Sequence, residues 1–489
     1  MSFRCTSRSR SKYPLKTSTR STSLPNSCPL SRAVTLMPVA VYTAPPENGI
    51  REMQNTTFNT VAVLGVPFHN VTMDDAVSFI DRKIEEGGFH QVATANVDFL
   101  MHAIRDRELQ EILCSCSLVV PDGMPILWAS KLLGSRLRQR VCGVDLVPRL
   151  AELAVRRNYR IFLLGASESV SQRASEKLKQ KYPGLQICGR YSPPVRPLQQ
   201  MNHDEILQKI ETANPDILLV AFGNPKQEKW LSMHRDRLKV PVCIGVGGSL
   251  DFIAGSVARA PKWMQRGGLE WLYRMLQEPK RLAQRYIGDA LGLAAHMPQQ
   301  LVTHAMQPRQ VTRSGIFADR TENTMVVSIY GDFAGGTLTE FSTIARDAVF
   351  SGMNLVLNLS QTTYLSADAL GELIHLRSTL LPGQQQLWLA EMRPHLLRLL
   401  QAARLNTYFM TTSSVRDALY RTARAEQRML AHAAALPGHE CVAQSGVQVR
   451  VELLQGICQR VAAASHPSHD GFTGPTGTVG GYTFNTSVG

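Results

Sequence analysis

Short apolar runs alternate with longer amphipathic stretches between residues 59 and 255. The apolar runs are three to seven residues long, which is typical of strands that are covered on both faces of a sheet. Stretches of helical length, such as 73–86, 97–114 and 169–181, separate them. This alternation predicts an α/β fold with a Rossmann-like parallel sheet, whose strand candidates are 60–64, 90–95, 118–120, 160–164, 185–189, 216–222 and 241–246.

A second and shorter alternation follows. It predicts three strands and three helices within about a hundred residues, which is the size of a small α/β domain. The domain organisation we expect is a catalytic domain over 59–255, an appendage over 256–311, a linker over 312–323 and a second domain over 324–424. The flanks are a basic arm over 1–58 and a helical, then low-complexity, tail over 425–489.

Charge is concentrated in the arm. The net charge is +14, and residues 1–46 carry seven basic side chains and no Asp or Glu. An acidic-poor segment rich in Arg and Ser is also typical of a transit peptide. We favour the simpler interpretation, a disordered basic arm that could bind phosphates nonspecifically, and we expect no specific nucleic-acid partner.

The cysteine pattern and the hydropathy exclude several protein classes. Nine cysteines are present, an odd number, and none forms a CxxC pair. Zinc and disulfide frameworks are therefore poorly supported, and we predict neither a metal site nor a cofactor. No uncharged apolar run reaches the ~18 residues of a spanning helix, so an integral membrane protein is not expected.

Polar residues directly follow several predicted strands, where ligands bind in sheets of this kind. Thr94 and Asn96 lie at the end of the second strand candidate, Asp122 follows the third, and Gln227 the sixth. The run Gly245–Gly248 after the last strand could approach a phosphate, but it lacks the full GxGxxG spacing. The carboxyl edge of the sheet is therefore the predicted site.

Residues 256–290 combine basic and aromatic side chains. Between residues 262 and 285 lie six basic residues and only two acidic ones, interleaved with Trp263, Trp271 and Tyr273. Such a helix suits an anionic membrane interface. The alternative is an ordinary C-terminal helix with tryptophans in the core and solvated arginines.

Residues 59–286 resemble the WecG/TagA/CpsF family of bacterial glycosyltransferases over nearly the whole length of the family. The resemblance rests on motifs that occur in the same order, each weak alone and strong together. They are Thr94-x-Asn96, Pro121-Asp122-Gly123-Met124-Pro125, Arg140-Val-Cys-Gly143-Val-Asp145, Gly223-x-Pro225-Lys-Gln227-Glu228, Gly245-Val-Gly-Gly-x-Leu-Asp251, and Arg259-Ala-Pro261-Lys-Trp263 with Gly268-Leu-Glu-Trp271-x-x-Arg274.

The resemblance implies an inverting transferase that moves a sugar from a UDP-sugar to a polyprenyl-diphosphate-linked saccharide, in polysaccharide biosynthesis. It implies that Asp122 is the general base, because inversion in one displacement needs a carboxylate to take the acceptor proton. No Asp-x-Asp motif is present to hold a metal, and Arg140 could instead pair with the leaving diphosphate.

The resemblance also assigns substrate contacts to Thr94, Asn96 and Gln227. Each of these residues has a structural alternative: a helix N-cap at Asn96, a turn aspartate at Asp122, a surface arginine at Arg140, and a first-turn residue at Gln227. Asp251 is a weaker candidate of the same kind.

The basic stretch of the family is thought to meet the membrane and complete the active site. Three residues of this chain match that basic stretch, and they are Arg274, Arg281 and Arg285. In this interpretation they bind the membrane or the acceptor diphosphate.

Residues 324–424 resemble a STAS domain, and we call them the STAS-like domain. The similarity lies in 354–360, 364–371 and 387–391. Asp368 occupies the position at which STAS domains commonly carry a phosphorylatable serine, so it either imitates an anion or is a plain helix N-terminal residue in a degenerate domain. Ser366 is a less favoured phosphosite. We expect this domain to bind a protein partner through the surface around Asp368.

The sequence therefore predicts a cytoplasmic glycosyltransferase, peripheral on the inner face of the bacterial plasma membrane. Two alternatives stay open. A nucleotide-dependent oxidoreductase would carry GxGxxG in its first βα unit, where Leu64-Gly-Val-Pro-Phe68 does not supply it. A non-catalytic scaffold dominated by the STAS-like domain would be expected to lack Asp122 or Arg140.

Overall fold

The structure is a computed structural model, and it describes residues 58–309, 314–321 and 323–434. All of these residues belong to one compact unit. The predicted basic arm before residue 58 and the low-complexity tail from residue 435 lie outside the described residues. The helical start of the tail is described, because the last helix continues to Ala434.

The first strand candidate is not part of the parallel sheet, which corrects the prediction for residues 60–64. It forms an antiparallel hairpin from β1 (Thr60–Val63) and β2 (Val66–His69). Leu64 and Gly65 make the tight turn with φ of 47° and 82°. Both strands are buried along their whole length, so the hairpin has no polar face by which a sequence pattern could reveal its place.

The main sheet has six parallel strands, as predicted. Their spatial order is β4-β3-β8-β7-β5-β6, so neighbours in space are connected by crossovers that place helices on both faces. The strands are β3 (His90–Ala95), β4 (Leu118–Pro121), β5 (Arg160–Gly165), β6 (Gln186–Tyr191), β7 (Ile217–Ala221) and β8 (Val242–Gly245).

Five of the nine helices described in the catalytic domain begin at a polar side chain that caps the helix. Asp106 interrupts the predicted helix 97–114, because its carboxylate accepts from the Leu109 amide and starts a new helix. The helices are α1 (Met73–Glu86), α2 (Val97–Arg105), α3 (Arg107–Ser115), α4 (Met124–Leu132), α5 (Gly143–Arg157), α6 (Glu168–Lys181), α7 (His203–Ala213), α8 (Lys226–Met233) and α9 (Ser249–Ile253).

Three further helices form the appendage. They are α10 (Lys262–Arg266), α11 (Glu270–Gln277) and α12 (Pro279–Ala305). The 27 residues of α12 make it the longest of the described helices. No helix within the described residues combines the length and the apolar character that crossing a bilayer requires.

The STAS-like domain is a second α/β unit. Its sheet has the order β12-β10-β11-β13-β14, all parallel, with β9 added antiparallel to β10. The strands are β9 (Gly315–Arg320), β10 (Thr324–Phe333), β11 (Asn354–Asn358), β12 (Thr362–Leu365), β13 (Leu387–Ala390) and β14 (Met410–Thr412), and the helices are α13 (Gly335–Phe350), α14 (Ala367–Leu380), α15 (Pro394–Ala402) and α16 (Val415–Ala434).

The predicted linker 312–323 is wrong where the structure describes it. Residues 315–320 form β9, whose partners on β10 run from Gly315–Tyr330 to Arg320–Met325. Ile316 and Ala318 pack against the core of the STAS-like domain. The run Gly315–Arg320 begins with glycine and ends in the polar pair Asp319 and Arg320, so it resembles a linker in sequence, and only its pairing with β10 distinguishes the two.

The two domains share a hydrophobic core. Ala62 of β1 and Cys114 of α3 lie in the same buried cluster as Leu370 and Leu373 of α14. A Cβ on Gly371 would lie 2.5 Å from the carbonyl oxygen of Thr60, so α14 packs directly on the backbone of β1. The contact is therefore continuous packing and not a flexible tether.

Candidate active site

A cavity of about 400 Å³ lies at the carboxyl end of the main sheet. Its walls come from the segments after β3, β4, β7 and β8, and from α11 and α12 of the appendage. Seven of the predicted site residues line it, and they are Thr94, Asn96, Asp122, Arg140, Gln227, Arg274 and Arg285. Arg281 falls in α12, but its side chain lies outside the described part of the chain.

Asp122 follows β4, at the turn that leads into α4. Its backbone amide donates to the carbonyl of Ala95, 2.8 Å away, which holds the turn against β3. Burial raises the pKa of Asp122 to about 6, while Arg140 and the Gly143 amide oppose that rise. The group is therefore largely ionised at neutral pH, with a proton affinity that suits a general base.

Arg140 belongs to a network of charges beside Asp122. Its Nη1 lies 3.0 Å from the Glu270 carboxylate, and Arg259 binds the same carboxylate through Nε at 3.0 Å. Arg259 also pairs with Asp145, which faces Arg140 at 4.0 Å. The surface-arginine alternative is wrong, since the Arg140 side chain is only 18% exposed. In the sequence Arg259 and Glu270 stand only as motif residues, and nothing along the chain indicates that they pair with each other.

Gln227 ties together two glycine loops of the cavity. Its Oε1 accepts from the Gly223 amide at 3.1 Å and from the Gly247 amide at 3.2 Å. Its Nε2 donates to Glu228, whose pKa burial raises to about 8. Gln227 thus sets the distance between the segments that follow β7 and β8, in addition to lining the cavity.

Thr94 and Asn96 have structural contacts as well as positions in the wall. The Thr94 hydroxyl donates to the Gly245 carbonyl at 3.0 Å, joining β3 to β8. Asn96 caps α2 by accepting from the Phe99 amide at 3.3 Å, which confirms the N-cap alternative. Capping uses the amide oxygen of Asn96, and the same residue lines the cavity.

Arg274 and Arg285 bring positive charge from the appendage into the cavity. The Arg274 guanidinium lies 5.1 Å from the centre of the Phe252 ring and close to Gly248, where an added Cβ would meet it at 3.0 Å. In each arginine the Nε is buried without a hydrogen-bond partner among the described residues. Buried cationic donors of this kind are suited to an anionic ligand.

A second set of polar residues in the cavity has no counterpart in the sequence reasoning. Asn224 donates to Asp98 at 3.0 Å, and Asp289 of α12 lines the same wall. Burial and the nearby Asp98 raise the pKa of Asp289 to about 6. Asn224 is the unspecified residue x in the motif Gly223-x-Pro225, and Asp289 lies in the appendage outside every motif. No pattern in the sequence therefore indicated that these two residues line the cavity.

No group of three His, Cys, Asp or Glu side chains that could hold a metal ion occurs within the described part of the chain. Asp251, a weak candidate, is not among the residues that line the cavity. The charged side chains that line the cavity carry carboxylate and guanidinium groups, and glycine loops form part of its wall.

The parallel sheet, the cavity at its carboxyl edge and the motif residues gathered there define a glycosyltransferase. Residues 61–307 match the glycosyl transferase WecG/TagA/CpsF family. The chain belongs to this family, and the oxidoreductase and non-catalytic alternatives are thereby wrong.

Two named relatives match somewhat less than half of the chain. The chain is 32% identical over 223 residues to an N-acetylglucosaminyldiphosphoundecaprenol N-acetyl-beta-D-mannosaminyltransferase of Bacillus subtilis, which covers 45% of this chain and 85% of the relative. It is 31% identical over 235 residues to an enzyme of the same name from Staphylococcus aureus, covering 48% and 90%. A solved structure of the anti-sigma factor antagonist SpoIIAA is similar to 23% of the chain and 97% of its own, with 16% identity and a TM-score of 0.21.

Proposed function

We propose that this protein is an inverting glycosyltransferase that moves a sugar from a UDP-sugar to a polyprenyl-diphosphate-linked saccharide. The observation that carries the proposal is the meeting of Asp122, with its pKa of about 6, and the arginines Arg140, Arg274 and Arg285 in one cavity. The names of the relatives support a lipid-diphosphate acceptor and an N-acetylhexosamine donor.

The reaction is a single displacement. Asp122 takes the proton of the acceptor hydroxyl as its oxygen forms a bond to the anomeric carbon, and the bond from that carbon to the UDP oxygen breaks. The UDP leaves with the bonding electron pair, so its diphosphate gains negative charge. Arg140 stabilises that charge.

Arg274 and Arg285 suit the acceptor diphosphate better than a lipid headgroup. Both line the cavity and both are partly buried, so neither is placed for contact with a flat anionic surface. We therefore assign the predicted membrane role to other residues of the appendage and not to these two arginines. Arg281 stays a prediction for either role.

Exposed apolar side chains with nearby lysines support binding to a membrane surface. The exposed fraction is 67% for Trp263 and 69% for Leu276, and Lys262 and Lys280 are exposed beside them. Trp128 of α4 is also half-exposed, and it contacts the turn before α11 at Gly268. We infer that this surface lies on the inner face of the bacterial plasma membrane, with the cavity opening towards the lipid-linked acceptor.

Product analysis tests the proposal. The full chain is incubated with a short-chain polyprenyl-diphosphate N-acetylglucosamine and a panel of UDP-sugars that includes UDP-N-acetylmannosamine, and the lipid product is analysed by mass spectrometry and NMR. We expect one added sugar with inverted anomeric configuration. Retention of configuration, or transfer to none of the lipid-linked acceptors, would contradict the proposal.

The reaction is proposed to need no metal, because the cavity offers arginines where metal-dependent enzymes hold a cation. EDTA should leave the rate unchanged, whereas Arg140→Ala should raise the KM for the UDP-sugar. A complete loss of activity in EDTA that Mg²⁺ or Mn²⁺ restores would show that the arginines do not replace a metal.

A further inference from the structure

The surface of the STAS-like domain around Asp368 is covered by the catalytic domain of the same chain. The Ser135 hydroxyl, in the segment after α4, donates to the Asp368 carboxylate at 2.8 Å. Next to it, α14 packs on β1, with Gly371 against the backbone of Thr60. A separate protein therefore cannot reach this surface in the present arrangement, which departs from the predicted partner contact at Asp368.

Ser366 is equally enclosed. It is 6% exposed, and its hydroxyl accepts from the Ala369 amide at 3.0 Å as the N-cap of α14. A kinase needs a free hydroxyl, so this residue is not placed for phosphorylation. The surface on which STAS-like regulation was expected is used here for contact within the chain.

The contact between Ser135 and Asp368 is connected to the cavity in two ways. The first connection is the segment 133–141. Ser135 lies five residues before Arg140, and hydrogen bonds donated by backbone amides of this segment hold it on the catalytic domain. The Leu137 amide donates to Ser130 at 3.2 Å, the Arg138 amide donates to Asn70 at 2.8 Å, and the Val141 amide donates to Pro121 at 2.9 Å. A shift at Ser135 is thus transmitted along an extended, hydrogen-bonded segment to Arg140.

The second connection runs along α12. Its first half lines the cavity through Arg285 and Asp289. At its far end Gln307 exchanges two hydrogen bonds with the backbone of Leu365, at 2.9 and 3.1 Å, and His304 lies 3.0 Å from the Tyr364 hydroxyl. A continuous helix transmits displacement of one end to the other, so β12 fixes the position of this wall.

We propose that the STAS-like domain is an intramolecular positioning element of the transferase, in which Asp368 acts through Ser135 on the Arg140 segment and Tyr364 acts through His304 on α12. The proposal rests on the proposed function for the roles of Arg140 and Arg285. Neither Asp368 nor Tyr364 touches substrate, so both are positioning residues. The partner of this surface is the catalytic domain itself.

A double-mutant cycle in the full chain tests the first connection. Asp368→Ala and Ser135→Ala should each raise the KM for the UDP-sugar by about threefold to tenfold, the range expected for losing one hydrogen bond, with kcat nearly unchanged. The double variant should be no worse than either single one, because the two residues act as a pair. Asp368→Asn keeps an acceptor for Ser135 and should restore most of the affinity.

The matched control is Asp417→Ala. Asp417 is also an aspartate in the first turn of a helix of the STAS-like domain, but α16 packs on β11, β13 and β14. It should leave KM and kcat at wild-type values. Additive effects of Asp368→Ala and Ser135→Ala, or an equal change in the control, would overturn the proposal.

Hydrogen exchange provides a reading that does not depend on the substrates. Asp368→Ala should speed exchange of the amides in 133–141, and Tyr364→Phe should speed exchange in the second half of α12, with the centre of the main sheet unchanged. Unchanged exchange in both segments overturns the proposal even if the enzyme is active. A further outcome is faster exchange in these segments although the chain neither binds UDP nor transfers sugar. That result would support the coupling between the two domains and refute the proposed function. If Asp368→Ala does not fold, Ser135→Ala and Tyr364→Phe are read in the same way.

Discussion

The two parallel sheets of this protein end in different ways at their carboxyl edges. In the main sheet the strands lead into glycine loops and charged residues that leave a cavity of about 400 Å³. In the STAS-like sheet the corresponding polar groups are bound: Ser366 caps α14, Arg393 donates to the Ser360 carbonyl, and His395 contacts the Thr363 carbonyl. The open edge differs because the buried Nε donors of Arg274 and Arg285 in its cavity have no hydrogen-bond partner among the described residues.

The difference extends to the carboxylates at the two edges. Asp122 and Asp368 both follow a parallel strand and both have a pKa raised by burial. Asp122 faces a cavity lined by arginines, whereas Asp368 accepts a hydrogen bond from Ser135 of the neighbouring domain. The same residue type at the same topological position thus serves chemistry in one domain and packing in the other.

The largest effect should come from removing the carboxylate at the open edge. Asp122→Asn should lower turnover by at least ~10²-fold, the usual contribution of a general base, with the affinity for UDP kept. Turnover is measured with saturating UDP-sugar and UDP binding by calorimetry. Near-normal turnover with intact binding would remove Asp122 from the mechanism.

The dependence of the rate on pH also tests the role of Asp122 as the general base. Asp122 must be ionised to accept a proton, and burial places its pKa at about 6. The rate should therefore be nearly constant above that pH and fall about tenfold for each pH unit below it. The Asp122→Asn variant is the control and should lose this acidic limb, whereas a limb that persists there must belong to another group.

A smaller effect is expected at the contact between the domains. Gly371→Ala places a Cβ 2.5 Å from the Thr60 carbonyl oxygen and should lower the free energy of unfolding by about 1–3 kcal/mol, as overpacking does. Gly336→Ala is the matched control, because no described atom lies within 4 Å of an added Cβ apart from its chain neighbours and the nearby backbone of its own helix. Urea unfolding measures both. Equal stability of the two variants would mean that the domains are not packed as described.

The smallest effect should be at the closed edge. Ser366→Ala removes the N-cap of α14 and should cost about 1 kcal/mol of stability, while Ser366→Asp supplies another capping oxygen and should cost less. Urea unfolding distinguishes the two. A more stable alanine variant would show that the hydroxyl serves something other than the cap.

Much of the fold could be predicted because its signals are local. Most strands of the main sheet are short apolar runs between amphipathic helices, with the more polar β6 at the edge. Asp122 and Gln227 come shortly after strands, so their meeting at one edge is a consequence of parallel topology, whereas Arg140 reaches that edge from the segment before α5. The hairpin β1–β2 and the strand β9 could not be predicted in this way. The hairpin packs on α14, which is distant along the chain. The strand β9 pairs with the neighbouring β10, as close as Arg320 with Met325, but nothing in its short, partly polar run indicates that pairing.

By itself, the sequence determined the parallel sheet, the family motifs and the carboxylate at the end of β4, because periodicity and spacing along the chain encode them. Only the tertiary structure decided that Glu270 pairs with Arg140, that Asp289 reaches the cavity from α12, and that Ser135 lies against Asp368. These pairs are separated by more than a hundred residues or come from different domains. Burial and electrostatic coupling arise only when the folded chain brings such groups within a few ångströms of each other.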